Sequence, residues 1–378
     1  MQGRVHKYEG RRGVSWFYVH DAPANASDRG RRQVKRRGFA TKRAAQEALT
    51  AALREVDTGS FVERSKLTVG EFLQDEWLPA IEASGIQKSG TTDQYRIYIR
   101  VRVMPAIGGI ALQELDAATL DRFYVDLGQR LAPKSVRNTA LMMSTALKFA
   151  VKRGRLSRSP APDAHMPKAP RTTMQYWAPE ETKAFLDSAR DDRLYALWLL
   201  FATTGMRRGE AMALRWDDVD FDRSRVSIQR SLVVNSGVVK IETPKTDRSV
   251  RSIAISPASK NALRQWRTAQ LEERLAWGAA YTDSGYVFTD EDGTVTDPRS
   301  ISKRFRRLVA VAGVRAIRLH DVRHSYATAA LRAGIPAKVV SERLGHKSIA
   351  ITLDTYSHVL PQADEEAAET VERLILGE

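Results

Sequence analysis

The sequence predicts a multidomain protein in three parts: a small α+β piece with a three-stranded sheet and one helix, a central all-α helical bundle, and a C-terminal mixed, mainly-α domain with a small antiparallel sheet. Three observations predict it. Short aromatic, β-branched and basic segments fill residues 1–60. Helical segments with end signals run from 64 to 156. Pro160, Pro162, Pro167 and Pro170 then fall within 11 residues, the mark of an extended linker over 157–173 that leaves 174–378 as the last domain. A chain of 378 residues is long enough for two or three such cores.

In the first part, Ser15–His20 is aromatic and β-branched and reads as a strand, as do Gln33–Phe39 and Val5–Tyr8. A loop is expected at Asp21–Gly30, and a helix from Thr41 through Ala44, Ala48, Ala52 and Val56 to near Gly59. This part carries 13 Lys/Arg against 6 Asp/Glu, close to half of the whole chain's excess of +15. Arg31, Arg32, Lys35, Arg36 and Arg37 make its last strand a candidate DNA contact; the competing reading is a solvated charged face.

In the second part, Thr68 and Glu71 fit a capping box ahead of a helix that buries Phe72, Leu73, Trp77 and Leu78. Further helices are expected at about 91–104, 117–130 and 133–153, the last with Pro133 at its start and Gly154 past its end. Lys134 and Arg137 are candidate DNA contacts on its surface, with Lys148, Lys152 and Arg153 beyond them.

The third part reads as three helices, a three-stranded hairpin region at about 225–255, and helices to the end. Here the chemistry gathers. Arg207 and Glu210 stand three apart after the turn Thr204-Gly205, so the carboxylate is placed to orient the guanidinium. Lys245 falls between two strand-like segments, at an expected hairpin tip. His320, Arg323 and His324 share a helix face, His346 follows Leu344-Gly345 at a helix end, and Tyr356 closes a last short helix. Taken singly, each is an ordinary cap or core residue. Together, a basic cluster beside one phenol is what attack on a phosphodiester needs.

Charge and composition narrow the partner. The balance of 60 Lys+Arg against 45 Asp+Glu points to a polyanion, nucleic acid or an anionic membrane. The longest apolar run, Leu194–Ala202, is nine residues. That is well short of the ~20 a spanning helix needs. The N-terminal residues lack a signal peptide's apolar core, so no membrane partner is expected. With no cysteine, disulfides, thiol nucleophiles and Cys-based zinc sites are excluded, which fits a cytosolic protein. His320 and His324 have zinc-ligand spacing, but Asp321 stands where a metalloprotease has Glu and no third ligand is evident; no metal and no cofactor are expected.

The ordered set Arg207, Lys245, His320-x-x-Arg323, His346, Tyr356 resembles the catalytic core of the tyrosine recombinases of the phage-integrase type. The flanking Thr204-Gly205, Glu210, Thr243, Ser249 and Leu344-Gly345 are similar as well. The likeness is close over 171–360 and looser over 64–156, which resembles that family's core-binding domain. Residues 1–60 resemble the arm-binding domain of the lambda-integrase subgroup. It implies that Tyr356 is the nucleophile, Arg207 and Arg323 the phosphate clamp, Lys245 the proton donor to the leaving oxygen, His320 a proton acceptor or orienter, and His346 a hydrogen-bond donor to the scissile phosphate. His324 is given packing only. It further implies double-stranded DNA with core-type and arm-type sites, a homotetramer passing through a Holliday junction, and accessory DNA-bending or directionality factors. The apolar face of Ala363, Ala367, Ala368, Val371, Leu374 and Ile375 is expected to dock on a neighbouring protomer. The alternatives are a catalytically silent DNA-binding regulator of the same fold and type IB topoisomerase-like relaxation.

Overall fold

The computed structural model describes residues 3–10, 13–22, 32–57, 62–87, 89–170, 174–235, 237–242, 250–356 and 371–376. It divides into two compact units, Met1–Arg171 and Thr172–Glu378.

In the first unit, strands β1 (Gly3–Gly10), β2 (Gly13–Ala22) and β3 (Arg32–Phe39) form an antiparallel sheet in the order β1-β2-β3. Helix α1 (Lys42–Asp57) covers one face, where Leu49 and Ala52 bury Tyr18. The register sets Arg36 opposite Tyr18 but Arg37 opposite Phe17, after a bulge at Trp16/Phe17. Because successive strand residues alternate faces, Arg36 shares the helix-covered side. Lys35 and Arg37 share the open one, where the Lys35 ammonium sits 4.0 Å from the centre of the Phe17 ring.

The helical part follows. Thr68 and Glu71 form the capping box: the Glu71 amide donates to Thr68 Oγ1 at 3.2 Å, and the Thr68 amide to Glu71 Oε2 at 2.8 Å. The helix runs through α2 (Val69–Glu71), a π-helical segment Phe72–Trp77, and α3 (Leu78–Ser84). The next runs through α4 (Ser89–Tyr98), π-helical Ile99–Val103, and α5 (Met104–Ile107). Both wide turns end just before a proline, Pro79 and Pro105. A proline ring in a helix interior has no N–H and crowds the carbonyl four residues back, so the regular i→i+4 ladder cannot run on through these points. Helices α6 (Ala117–Gly128) and α7 (Pro133–Lys152) complete a core built on Phe72, Trp77, Leu120, Phe123, Met143 and Leu147.

The second unit begins with α8 (Pro179–Ser188), the apolar α9 (Tyr195–Thr204) and the short α10 (Arg208–Met212). Five strands come next: β4 (Val219–Asp220), β5 (Arg225–Ile228), β6 (Ser231–Asn235), β7 (Val238–Glu242) and β8 (Arg251–Ala254). They do not make the single three-stranded region expected from sequence. Two sheets form, β4-β5-β8 and β6-β7. The segment 243–249 itself, with Lys245 and its expected hairpin tip, lies outside the described residues, but the strands flanking it belong to different sheets. The reason is burial: Val226 of β5 and Ile253 of β8 face each other and are both sunk in the core, so β8 pairs with β5 and leaves β7 to β6. Helices α11 (Pro257–Trp277), α12 (Pro298–Ala312), α13 (Leu319–Arg332), α14 (Ala337–Leu344) and α15 (Ile349–Tyr356) follow. The main core stacks Trp177, Phe185, Trp198 and Phe305 in mutual aromatic contact. A smaller cluster of Ala327, Ala330, Leu331, Val340 and Leu344 surrounds Tyr356.

Candidate active site

Gly205 ends α9 at φ +64°, a conformation that glycine tolerates. A Cβ there would lie 2.6 Å from both Leu344 and Tyr326, so the position must be bare for α13 and α14 to close on the turn. The turn delivers Arg207 to the start of α10. Its amide donates to Glu210 Oε2 at 2.9 Å and its Nη1 to Glu210 Oε1 at 2.7 Å. Glu210 is buried and also receives Arg251 in a two-pronged pair, Nη1 to Oε1 at 3.1 Å and Nη2 to Oε2 at 2.8 Å. Burial alone pushes the Glu210 carboxyl up; hydrogen bonds and charge from Arg251, aided by Arg207, override it and hold the group at about 2.

On α13, Asp321 caps the helix through the Arg318 amide at 2.9 Å and fixes its first turn. Arg323 is 4% exposed. Its Nη1 donates to the Gly205 carbonyl at 2.9 Å and its Nη2 to the Leu344 carbonyl at 2.7 Å. Burial, with the charge of Arg207 beside it, pulls Arg323 down to about 9, which leaves it a cation at neutral pH. Burial and the Arg323 charge also lower His320.

The C-terminal end of α14 is where these arginines converge. Arg251 Nε donates to the Arg343 carbonyl at 2.7 Å, Arg323 to that of Leu344, and Arg207 Nη2 to that of Gly345 at 3.1 Å. The last carbonyls of a helix lack partners within it and carry partial negative charge, so three guanidiniums are well placed there. Gly345, at φ +65°, turns the chain, and His346 follows. The His346 amide donates to the Ser341 carbonyl at 3.0 Å, and its Nδ1 lies 2.8 Å from Thr352 Oγ1, which fixes the ring. Burial and the Arg323 charge lower His346 to about 4, so it is neutral near pH 7.

Tyr356 is 1% exposed, and burial pushes its phenol up to about 12. Its oxygen lies 2.7 Å from Nδ1 of His324, held neutral at about 4 by burial and by His320. The two share a hydrogen bond whose direction follows the His324 tautomer. With donor and acceptor so far apart in proton affinity, the contact positions the phenol and does not ionise it. Arg323 acts electrostatically on the same oxygen, lowering its proton affinity against burial.

Five of the six sequence-selected residues, Arg207, His320, Arg323, His346 and Tyr356, thus lie on elements that meet at the end of α14. The sixth, Lys245, lies outside the described residues, as do Arg31 and much of the tail at 357–370. Arg32 begins β3. Lys35, Arg36 and Arg37 are exposed, as is Lys134, whereas Arg137 is partly covered and donates to the Pro167 carbonyl at 3.1 Å. Two residues were missed. His324 was read as packing within its helix, yet it carries the contact to Tyr356; its i, i+4 spacing from His320 was the available signal, and the two rings lie 5.3 Å apart. Arg251 was not singled out, because its partners lie far away in sequence. Among the described residues, no three His, Asp or Glu side chains gather to hold a metal, and no helix is long and apolar enough to cross a membrane.

Comparison with known proteins places the chain in a family. The profile of the phage integrase family matches residues 175–363. A tyrosine recombinase XerC-like protein of Caldanaerobacter subterraneus subsp. tengcongensis is 29% identical over 356 residues, spanning 89% of this chain and 90% of that protein. An integrase of Staphylococcus phage L54a is 26% identical, spanning 80% of this chain and 92% of its own length. Among solved structures, the Tn1549 transposon integrase in complex with a circular intermediate DNA shares the fold at TM-score 0.68 and 19% identity, covering 81% of this chain and 99% of that one. Lambda integrase, as a tetramer bound to a Holliday junction, does so at TM-score 0.55 and 15% identity, covering 90% and 95%. The profile match spans half the chain and takes in Arg207, His320, Arg323, His346 and Tyr356, so the chain belongs to the phage integrase family, the tyrosine recombinases.

Proposed function

We propose that this recombinase cuts and rejoins DNA at specific sites through Tyr356, integrating or excising a phage or other mobile element. The observation that carries the reading is the convergence of Arg207, Arg323 and His346 on one helix end, with a single buried phenol on the adjoining α15. Phosphoryl transfer spreads negative charge over the non-bridging oxygens, and cations already fixed in place stabilise that charge without reorganising. Arg207, half-open to solvent and braced by Glu210, presents its fork to the phosphate. Arg323 supplies buried positive charge behind it. The Tyr356 oxygen attacks phosphorus, a 3′-phosphotyrosyl bond forms, and the 5′-oxygen leaves with a proton from Lys245. His320 orients or accepts the phenolic proton, and His346 donates to the phosphate. The energy of the broken bond stays in the tyrosyl ester, so neither metal nor ATP is needed for religation.

The raised proton affinity of Tyr356 supports one further point. Ionising the phenol for attack falls to the nearby cations, of which Arg323 already acts on it against burial. We assign the three-part division 1–60, 64–156 and 174–378, joined by 157–173, to arm-site binding, core-site binding and catalysis, on a tetramer with accessory bending or directionality factors. A nicked duplex carrying the attachment sequence tests the whole reading. The intact protein should form an adduct that survives denaturing electrophoresis, and Tyr356→Phe should form none while still shifting the duplex in a native gel. An adduct that persists in Tyr356→Phe assigns the wrong nucleophile.

A further inference from the structure

We infer that Arg251 is a positioning residue for strand cleavage, locking Glu210, and through it Arg207, to the end of α14 that presents His346. The inference rests on the functional reading above and adds a residue to it.

Three observations carry it. Arg251 is 8% exposed in its side chain, so it does not itself face a substrate. All three of its guanidinium nitrogens are engaged: Nη1 and Nη2 on the two oxygens of Glu210, and Nε on the Arg343 carbonyl. It thereby ties three elements, β8, α10 and α14, that are distant in sequence. The Gly345 turn also rests directly on it. A Cβ at Gly345 would lie 2.8 Å from Arg251 Nη1 and 3.0 Å from Cζ, so the turn leading to His346 is shaped around this guanidinium.

The arrangement divides labour among the arginines. Arg207 keeps only part of its fork on Glu210 and Gly345 and is 39% exposed, whereas Arg251 is spent entirely on internal partners. Glu210 can brace Arg207 only while ionised. The charged groups facing it are Arg207 at its own helix start, Arg251 from β8, and Arg323 from α13. Losing Arg251 leaves a buried carboxylate short of its main partner, which favours the protonated form. A lysine keeps the charge but cannot reproduce the planar fork, so it cannot hold both carboxylate oxygens and the Arg343 carbonyl at once.

The test measures single-turnover cleavage of the nicked attachment-site duplex by the full chain from about pH 5 to about pH 8.5, with duplex affinity measured alongside. Arg251→Lys is expected to slow cleavage about tenfold and Arg251→Met about 100-fold, each with affinity changed less than about threefold. Arg251→Met should also acquire an acid limb, its rate falling further as pH drops and Glu210 takes up a proton; Arg251→Lys, still charged, should lack that limb. Should Arg251→Met fold poorly, the double variant Arg251→Met/Glu210→Gln removes the unpaired buried charge; it should fold, remain slow and show no acid limb. Rates within about threefold of wild type in Arg251→Met, a uniform loss in Arg251→Met with an unchanged pH profile, or a loss matched by weaker binding each overturn the inference. A wild-type chain that forms no adduct overturns the functional reading beneath it instead.

Discussion

Arg323 is 4% exposed and donates to two backbone carbonyls, whereas Lys35, Arg36 and Arg37 stand exposed on a sheet held by a core of only a few residues. Both regions are basic, yet they solve different problems. Arg207, Arg251 and Arg323 are held by protein partners before any phosphate arrives. That is what lowering a barrier demands, because side chains that must first be ordered lose much of their electrostatic advantage. Lys35, Arg36 and Arg37 are exposed instead, the arrangement that displacing counterions along a DNA backbone would call for, since that needs number more than geometry. The rule drawn from the contrast is that fixed cations act on rate and loose cations on affinity.

The largest expected effect removes the proposed nucleophile itself. Tyr356→Phe should abolish the covalent adduct, leaving affinity for the duplex within about threefold, as electrophoresis and a native-gel titration would show. Next comes the clamp. Arg323→Gln should slow cleavage by about 1,000-fold or more with little change in affinity, since the lost charge acts mainly in the transition state. A large fall in affinity with a normal rate at saturation would reverse the rule.

His324 tests where the fixed region ends. It shares α13 with Arg323 but touches the phenol, not a guanidinium partner. His324→Phe leaves a buried hydroxyl without its hydrogen-bond partner, which costs about 1–3 kcal/mol of stability. A lower melting temperature with a cleavage rate changed by less than about tenfold is the expected pattern. A loss as large as that of Arg323→Gln would make His324 part of the chemistry.

Much of this was legible in the sequence, for a physical reason. The capping box of Thr68 and Glu71, the three strands of the first unit and the Arg207–Glu210 pair are local, set by residues three apart or by alternation along a strand. What escaped was set by tertiary pairing. The split of the strands into two sheets depends on Val226 meeting Ile253, and the role of Arg251 depends on Glu210 and Arg343, which lie 41 and 92 residues away. The π-helical turns before Pro79 and Pro105 were missed because helical periodicity alone does not distinguish a four-residue from a five-residue hydrogen bond.

Acid should loosen the fixed region first. His324 and His346 sit at about 4 in the folded protein against an ordinary 6.5, because burial disfavours the imidazolium. Between those values the unfolded chain binds protons that the folded chain refuses, so stability present above about pH 6.5 is lost as pH falls toward 4. Glu210, held at about 2, adds a further loss only below its ordinary 4.5. Melting temperature should therefore decline from neutral pH downward, and His324→Gln/His346→Gln should flatten the decline above about pH 4.5. An unchanged slope in the double variant would assign the acid sensitivity elsewhere.

The smallest effect is the sharpest test of the loose side of the comparison. Lys35 and Arg37 share the open face of the sheet with Phe17, while Arg36, one residue between them, shares the face that α1 covers. If that open face lies along DNA, Lys35→Ala and Arg37→Ala should each lower the slope of log affinity against log salt for an arm-type duplex by about one, and Arg36→Ala by less. Cleavage of an isolated core-type duplex should be unchanged in all three, since none of these side chains is held in the cradle around α14. Equal slopes for Arg36→Ala and Arg37→Ala would mean that charge on the first unit acts through its sum, without regard to face. A fall in core-site cleavage would mean that its cations are not confined to affinity, and the division between fixed and loose would fail at its weaker end.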